Sequence, residues 1–170
     1  RNLVELRPTS VDDLVAMVAL YRPGPMEQIP NYIRGKNKPK TVTFLHPTLE
    51  PILKDTYGVI VYQEQVLQIL QKMAGYTLGR ADIVRKAIGK KKRDLMEQEE
   101  PRFIQGCIAN GLDKNQAKTL WDLIQPFAGY SFNKAHATCY GLLAYQTAYL
   151  KTHYPAEYMA ALLTTYSSNT

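Results

Sequence analysis

The chain has 170 residues, 45% of them hydrophobic and 21% charged, and its 21 basic against 15 acidic side chains leave a net charge of +6 at neutral pH. That composition excludes a disordered chain and supplies one sizeable core, so a single domain or two closely packed lobes is expected. Two cysteines, Cys107 and Cys139, are too few for a disulfide scaffold, and with no signal peptide and no run of 18 apolar residues the expectation is a soluble, cytoplasmic protein without a membrane partner.

The chain opens at Arg1 rather than Met, and Asn2-Leu3-Val4-Glu5-Leu6 already has the apolar spacing of a helical turn, as in a piece of a longer protein. Ser10 before Val11-Asp12-Asp13 has the form of a helix N-cap with acids in the first turn. That helix runs to Leu20 and must stop by Arg22-Pro23-Gly24-Pro25, where two prolines remove amide donors. Met26 to Pro47 is polar, basic and proline-containing and reads mostly as loop, with Thr41-Val42-Thr43-Phe44 as a short strand. We therefore divide the chain into an N-terminal helix and basic loop over 1–46 and a helical core over 47–170.

Pro47 to Leu53 fits a short helix, and the β-branched, aromatic run Tyr57-Gly58-Val59-Ile60-Val61-Tyr62 fits an extended segment. Helices are then expected over Glu64–Ala74, from about Leu78 to Gly89, from about Arg93 to Ala109, and from Asp113 as cap to Leu123, with Gly75, Gly89 and Gly111 as stops and Pro126 as a break. A long helix from about His136 to Lys151 carries no formal charge between Ala137 and Leu150. A helix apolar on every side reads as the buried central rod of a bundle, and at about 1.5 Å per residue it is too short to cross a bilayer. Pro155 opens a last helix. The fold class is all-α, a helical bundle with one short extended segment.

The charge is not spread evenly. Between Arg80 and Arg93 lie seven basic residues and one acid, Asp82, so this window alone carries the whole surplus. On the helix from Leu78, the residues Ala81, Val84, Ala87 and Ile88 share one face and Asp82, Arg85 and Lys86 the opposite one. Arg85, Lys86 and the following Lys90, Lys91 and Lys92 can converge on a polyphosphate, through Arg forks and mobile Lys charges. A lysine run that complements the helix dipole and stays solvated has the same appearance.

A second constellation is Gly129-Tyr130-Ser131-Phe132-Asn133-Lys134-Ala135-His136, which leads into a helix N-terminus. Backbone amides, Lys134 and His136 there favour anions, and the aromatic rings offer stacking to bases. Asn133 as a plain N-cap and His136 as a packing residue are equally compatible with the pattern. Cys107, His136 and Cys139 lack a fourth ligand for a structural metal, and Gln63-Glu64-Gln65 reads as supporting rather than contacting. The seven aspartates include no Asp-x-Asp pair, so no carboxylate cluster for two-metal phosphoryl transfer is visible.

In order along the chain, Ala19-Leu20-Tyr21-Arg22-Pro23-Gly24-Pro25, Thr56 to Gln65, Gly89-Lys90-Lys91-Lys92, Phe127 to His136, Ala144-Tyr145-Gln146-Thr147 and His153-Tyr154-Pro155-Ala156-Glu157 resemble the C-family bacterial replicative DNA polymerases, over about Leu6 to Leu163. The resemblance implies the fingers domain of such an enzyme, which closes over the incoming dNTP above the template base pair. It gives Arg85 and Lys86 the triphosphate, makes Asn133, Lys134 and His136 candidates for nucleotide or primer-terminus contact, and adds Arg22. Lys90, Lys91 and Lys92 would meet DNA backbone. The catalytic carboxylates and the Mg2+ they hold would belong to the palm, outside this chain, which alone would catalyse nothing. Primer-template DNA, the polymerase's other domains and replisome subunits would be its partners. Lys86 stands where the family more usually has a second arginine, and Ala135 and Ala137 replace common serines. The competing readings are a free-standing basic helical module that binds DNA backbone without sequence preference and a module that binds an acidic protein.

Overall fold

A computed structural model of the chain describes residues 1–90 and 92–167, and over these it is all-α, as expected. Ten α-helices follow in order: α1 Asn2–Leu6, α2 Val11–Leu20, α3 Ile29–Asn37, α4 Glu50–Leu53, α5 Gln63–Ala74, α6 Leu78–Gly89, α7 Arg93–Ala109, α8 Lys114–Tyr130, α9 Lys134–His153 and α10 Pro155–Ser167. Their punctuation is local chemistry. Ser10 caps α2 by accepting the Asp13 amide while the Asp13 carboxylate accepts the Ser10 amide at 3.2 Å. Asp113 and Gln116 make the same reciprocal pair at the start of α8. Gly75 ends α5 at φ 69°, a left-handed conformation that a side chain would strain.

The helices enclose two apolar cores. The first gathers α5, α6, α7 and α8 around Trp121, Phe103, Ile69, Leu70 and Leu120. The second gathers Leu6, Val15, Ala16, Leu20, Ile29 and Tyr32 with Val59, Val61 and Tyr62. Between them runs the extended segment that precedes α5, and its two-residue alternation joins the cores: Ile60 packs into the first, Val59 and Val61 into the second. Its only ladder-like pairing among the described residues is an isolated parallel bridge between Tyr62 and Phe132.

Four expectations are corrected. The stretch from Met26 is not mostly loop: a 3-10 turn at Pro25–Gln28 leads into α3. Both prolines sit in first turns, where a missing amide breaks nothing, and Ile29, Tyr32 and Gly35 turn one buried face to the second core. Thr41 to Phe44 forms no strand, because Pro39–Thr41 is a 3-10 turn and the described residues hold no neighbouring strand to pair with. Pro126 does not break α8, which continues to Tyr130. Asp122, whose carbonyl loses its amide partner to the proline, is exposed to water, while Ile124 holds the helix to the core.

The fourth correction concerns α9. It is not a buried rod: only Ala137 and Gly141 are buried, and Tyr140, Leu143, Tyr145, Tyr149 and Leu150 are exposed. Burial on every side needs neighbours on every side, and α9 has α2 along one face and α10 at its end. Its contact with α2 is close because residue 141 is glycine: a Cβ there would lie 2.6 Å from Val15 Cγ2.

Candidate nucleotide-gripping site

The Tyr62–Phe132 bridge determines where two helices begin. The Gln63 amide donates to the Phe132 carbonyl at 2.9 Å and the Phe132 amide to the Val61 carbonyl at 3.1 Å, so α5 and α9 start side by side from one paired segment. Gln63 Nε2 reinforces this by donating to the Ser131 carbonyl at 3.2 Å. The segment itself is held by Gln65. Its Oε1 accepts the amides of Val61 at 2.8 Å and Tyr62 at 2.9 Å, and its Nε2 donates to the Ile52 carbonyl and to Thr56 Oγ1.

Around this junction the structure gathers Arg22, Asn133, Lys134 and His136. Asn133 caps α9, its Oδ1 accepting the His136 amide at 2.9 Å. The Lys134 amide donates to both oxygens of Glu64 at 3.2 Å, so a carboxylate from the first turn of α5 sits at the positive end of α9. Lys134 Nζ lies 5.5 Å from the centre of the Tyr62 ring. His136 is exposed and meets the rings of Phe132, tilted by 52° at 5.3 Å, and Tyr140, edge-on at 4.9 Å. The Arg22 guanidinium also lies over Phe132, 4.3 Å from the ring centre, and its Nε donates to the Ala19 carbonyl at 3.0 Å. Burial lowers the pKa of Arg22 and raises that of the Tyr62 phenol.

Beside Lys134 opens a cleft of about 300 Å³ lined by Ser10, Asp12, Lys54, Asp55 and Tyr62. Asp13 at its edge is tied to Lys36 at 2.6 Å, a pair with side chains only 2% and 9% exposed. Burial works to raise the Asp13 pKa, but Lys36 and the amides of Thr9 and Ser10 outweigh it and the carboxyl ends below its ordinary value. Among the described residues no group of three or more His, Cys, Asp or Glu side chains is arranged to hold a metal ion. Cys107 lies in the first core, where burial pushes its thiol up to about 12, and Cys139 is exposed.

Arg85 and Lys86 form a second group, on α6. Ala81, Val84 and Ala87 are buried, so the opposite face points outward, as the helical spacing requires. Arg85 grips Asp82 Oδ1 through Nη2 at 2.8 Å and Nε at 3.1 Å, and Lys86 Nζ reaches Asp82 Oδ2 at 2.6 Å. Lys86 first and Arg85 second hold the Asp82 carboxyl below its ordinary pKa. The helix is fixed against α7 by Arg80, which pairs with the buried Glu99, and by Tyr76, whose hydroxyl donates to Glu99 Oε2 at 3.0 Å. Lys90 and Lys92 follow as exposed residues, and Lys91 lies outside the described residues. The two groups therefore occupy separate places, one on the rim of the second core and one on the helix that packs against α5, α7 and α8.

The sequence places Glu64 among supporting residues and Asp82 on the outward face of α6, but gives neither of them a partner. Glu64 is 70 residues from Lys134, and no local pattern connects them. Asp82 had a usable signal, because spacings of three and four residues on one helix put it under both Arg85 and Lys86.

Residues 1–111 match the family described as the bacterial DNA polymerase III alpha subunit finger domain. This chain belongs to that family. It is similar to the protein named DNA polymerase III subunit alpha of Halalkalibacterium halodurans, with 56% identity over 96% of this chain. The proteins of the same name from Rickettsia prowazekii and Pseudomonas aeruginosa are 55% and 50% identical over 95% and 98% of it. The chain spans only about 15% of the length of these relatives. The 50% identity over 98% of the chain extends the likeness past residue 111. Among the described residues no helix is long and apolar enough to cross a membrane.

Proposed function

We propose that this chain is the fingers of a DNA-directed DNA polymerase and that it holds the incoming dNTP and the nascent base pair in place while carboxylates and magnesium elsewhere in the longer protein perform nucleotidyl transfer. The observation that carries this reading is the junction at Phe132. There the half-buried Phe132 ring is followed by the exposed rings of His136 and Tyr140, with Arg22 over Phe132 and Lys134 beside Tyr62 at the start of a helix. Rings give a base a surface to stack on whatever its identity, and the Arg22 and Lys134 cations answer the phosphates.

Arg85 and Lys86 take the triphosphate in this reading, the arginine through its planar fork and the lysine as a point charge. Asn133 acts through its cap, which sets the directions of Lys134 and His136. Lys90, Lys91 and Lys92 meet DNA backbone. What such groups contribute to phosphoryl transfer is electrostatic positioning. In the full-length polymerase, Arg85→Ala should raise the dNTP KM or lower kcat while leaving primer-template affinity nearly unchanged. The 170-residue chain alone, given Mg2+, primer-template and all four nucleotides, should extend nothing.

A free-standing module binding DNA backbone is the second reading, favoured by the exposed Lys90 and Lys92 beside the α6 cations. It requires duplex affinity that falls steeply with salt and is lost in Arg85→Ala together with the lysines. Unchanged duplex affinity with an altered KM rejects it.

A further inference from the structure

Arg85 and Lys86 both hold a partner on their own helix. Three charge-assisted hydrogen bonds from these residues converge on the two oxygens of one carboxylate, Asp82, at 2.6, 2.8 and 3.1 Å. The Arg85 side chain is 16% exposed and that of Asp82 35%, so the guanidinium lies along the helix with its donors directed at Oδ1. An arginine fork that binds a carboxylate in this way uses the same Nε and Nη2 edge with which it would bind a phosphate. Asp82 and a nucleotide phosphate are therefore rivals for the same donors.

The sequence around Asp82 adds weight. It is the one acid in a window of seven basic residues, on the outward face of α6, where a carboxylate opposes any gain in positive potential. Stability alone does not explain it, since spaced pairs on an exposed helix surface contribute little and Lys86 is 60% exposed. Nor is α6 short of anchors, because Arg80, Tyr76 and Glu99 already tie it to α7.

We propose that Asp82 is a competing counter-ion built into the nucleotide grip, which a nucleotide phosphate must displace from Arg85 and Lys86, and which thereby sets the dNTP KM. This rests on the reading that Arg85 and Lys86 hold the triphosphate. Displacement leaves Asp82 hydrated, which its position at the surface allows. The residue weakens binding of the ground state and of the transition state alike, so KM changes and kcat does not.

The test is single-nucleotide insertion by the full-length polymerase, with dATP opposite a templating thymidine and saturating primer-template. Asp82→Asn keeps the shape and removes the charge, and its KM for dATP should fall by roughly two- to fivefold with kcat and melting temperature unchanged, as expected for loss of a partly exposed ion pair that competes with the ligand. Asp82→Glu, which can still reach both cations, should stay near the parent KM. Asp94→Asn changes net charge equally on the next helix and should have no effect, which separates direct competition from a general rise in positive potential. An unchanged KM in Asp82→Asn overturns the proposal, and so does a raised one, which would mean that Asp82 preorganises Arg85. Arg85→Ala is measured alongside. If it raises KM while Asp82→Asn does nothing, only the competition fails; if neither variant alters KM or kcat, the assignment of the triphosphate to α6 fails with it.

Discussion

Gln65 is the residue on which the junction most depends, and replacing it tests whether the extended segment is held as described. Gln65→Met keeps the length and apolar volume of the side chain but removes all four of its hydrogen bonds. The Val61 and Tyr62 amides lose their acceptor in residues only 3% and 4% exposed, and the Ile52 carbonyl and Thr56 hydroxyl lose a donor. Two buried amides without partners cost about 1–3 kcal/mol each, and with partial relaxation a loss of about 2–5 kcal/mol is expected. Urea unfolding followed by Trp121 fluorescence measures it directly, because Trp121 is the only tryptophan and is fully buried in the first core. Gln68→Met, at an exposed position of the same helix, should fall within about 0.5 kcal/mol of the parent chain. A Gln65→Met loss no larger than that of Gln68→Met would mean that the amide does not hold the segment, and the common origin of α5 and α9 would need another cause.

Gly141→Ala should destabilise the chain by about 1–3 kcal/mol, since the added Cβ meets Val15 at 2.6 Å from Cγ2 and 3.0 Å from its backbone; an unchanged melting temperature would refute the close approach of α2 and α9. Asp13 has a lowered folded-state pKa, so its pairing with Lys36 stabilises the fold above the ordinary carboxyl value of 3.8 and that contribution disappears as the pH falls through the lower folded value. The stability difference between the parent chain and Asp13→Asn should accordingly be full near neutral pH and shrink in acid, and a difference independent of pH would refute the ionised pair. Leu143→Gln on α9 should change stability by no more than about 0.5 kcal/mol because the residue is exposed, whereas Leu120→Ala in the first core should cost about 2–5 kcal/mol. A core-sized loss at Leu143, read by the same unfolding curves, would show that α9 is covered after all.

The helices legible in the sequence are those whose ends carry their own chemistry. Ser10, Asp113, Gly75 and Pro155 each mark a boundary within a few residues, because capping oxygens, a left-handed glycine and a proline ring act locally. What was not legible depends on distant partners. α3 has poor helix formers and two prolines nearby, and it is helical because Ile29 and Tyr32 find the second core. Pro126 looked like a stop because a lost backbone hydrogen bond is costly only where water cannot replace it, and exposure is not written in a local pattern. In α9, the lack of charge describes composition but not which surfaces are available to cover it. The same division holds for the site. The outward face that carries Arg85 and Lys86 and the Asn133 cap ahead of Lys134 and His136 follow from local spacing, while the Glu64 carboxylate at the head of α9 depends on the bridge between two segments far apart in the chain.

That bridge also bears on how the two cationic groups can work together. α5 leaves the Phe132 junction at Gln63 and reaches Gly75 after 12 residues, about 18 Å at the rise of an α-helix, with its inward face locked by Val66, Ile69, Leu70 and Met73 in the first core. α6 and α7 pack directly on it. A helix gripped along its length moves as one body, because close-packed side chains offer it a few discrete seatings and no continuous slide. Through the pairing of Phe132 with Gln63 and Val61, Arg22 and Lys134 are seated beside the start of α5, and Arg85 and Lys86 lie on a helix packed against the same rod. The separation of the two groups is in this sense a property of α5, and a substitution that loosens its first turn should disturb both of them, even though neither touches the other's counter-ion.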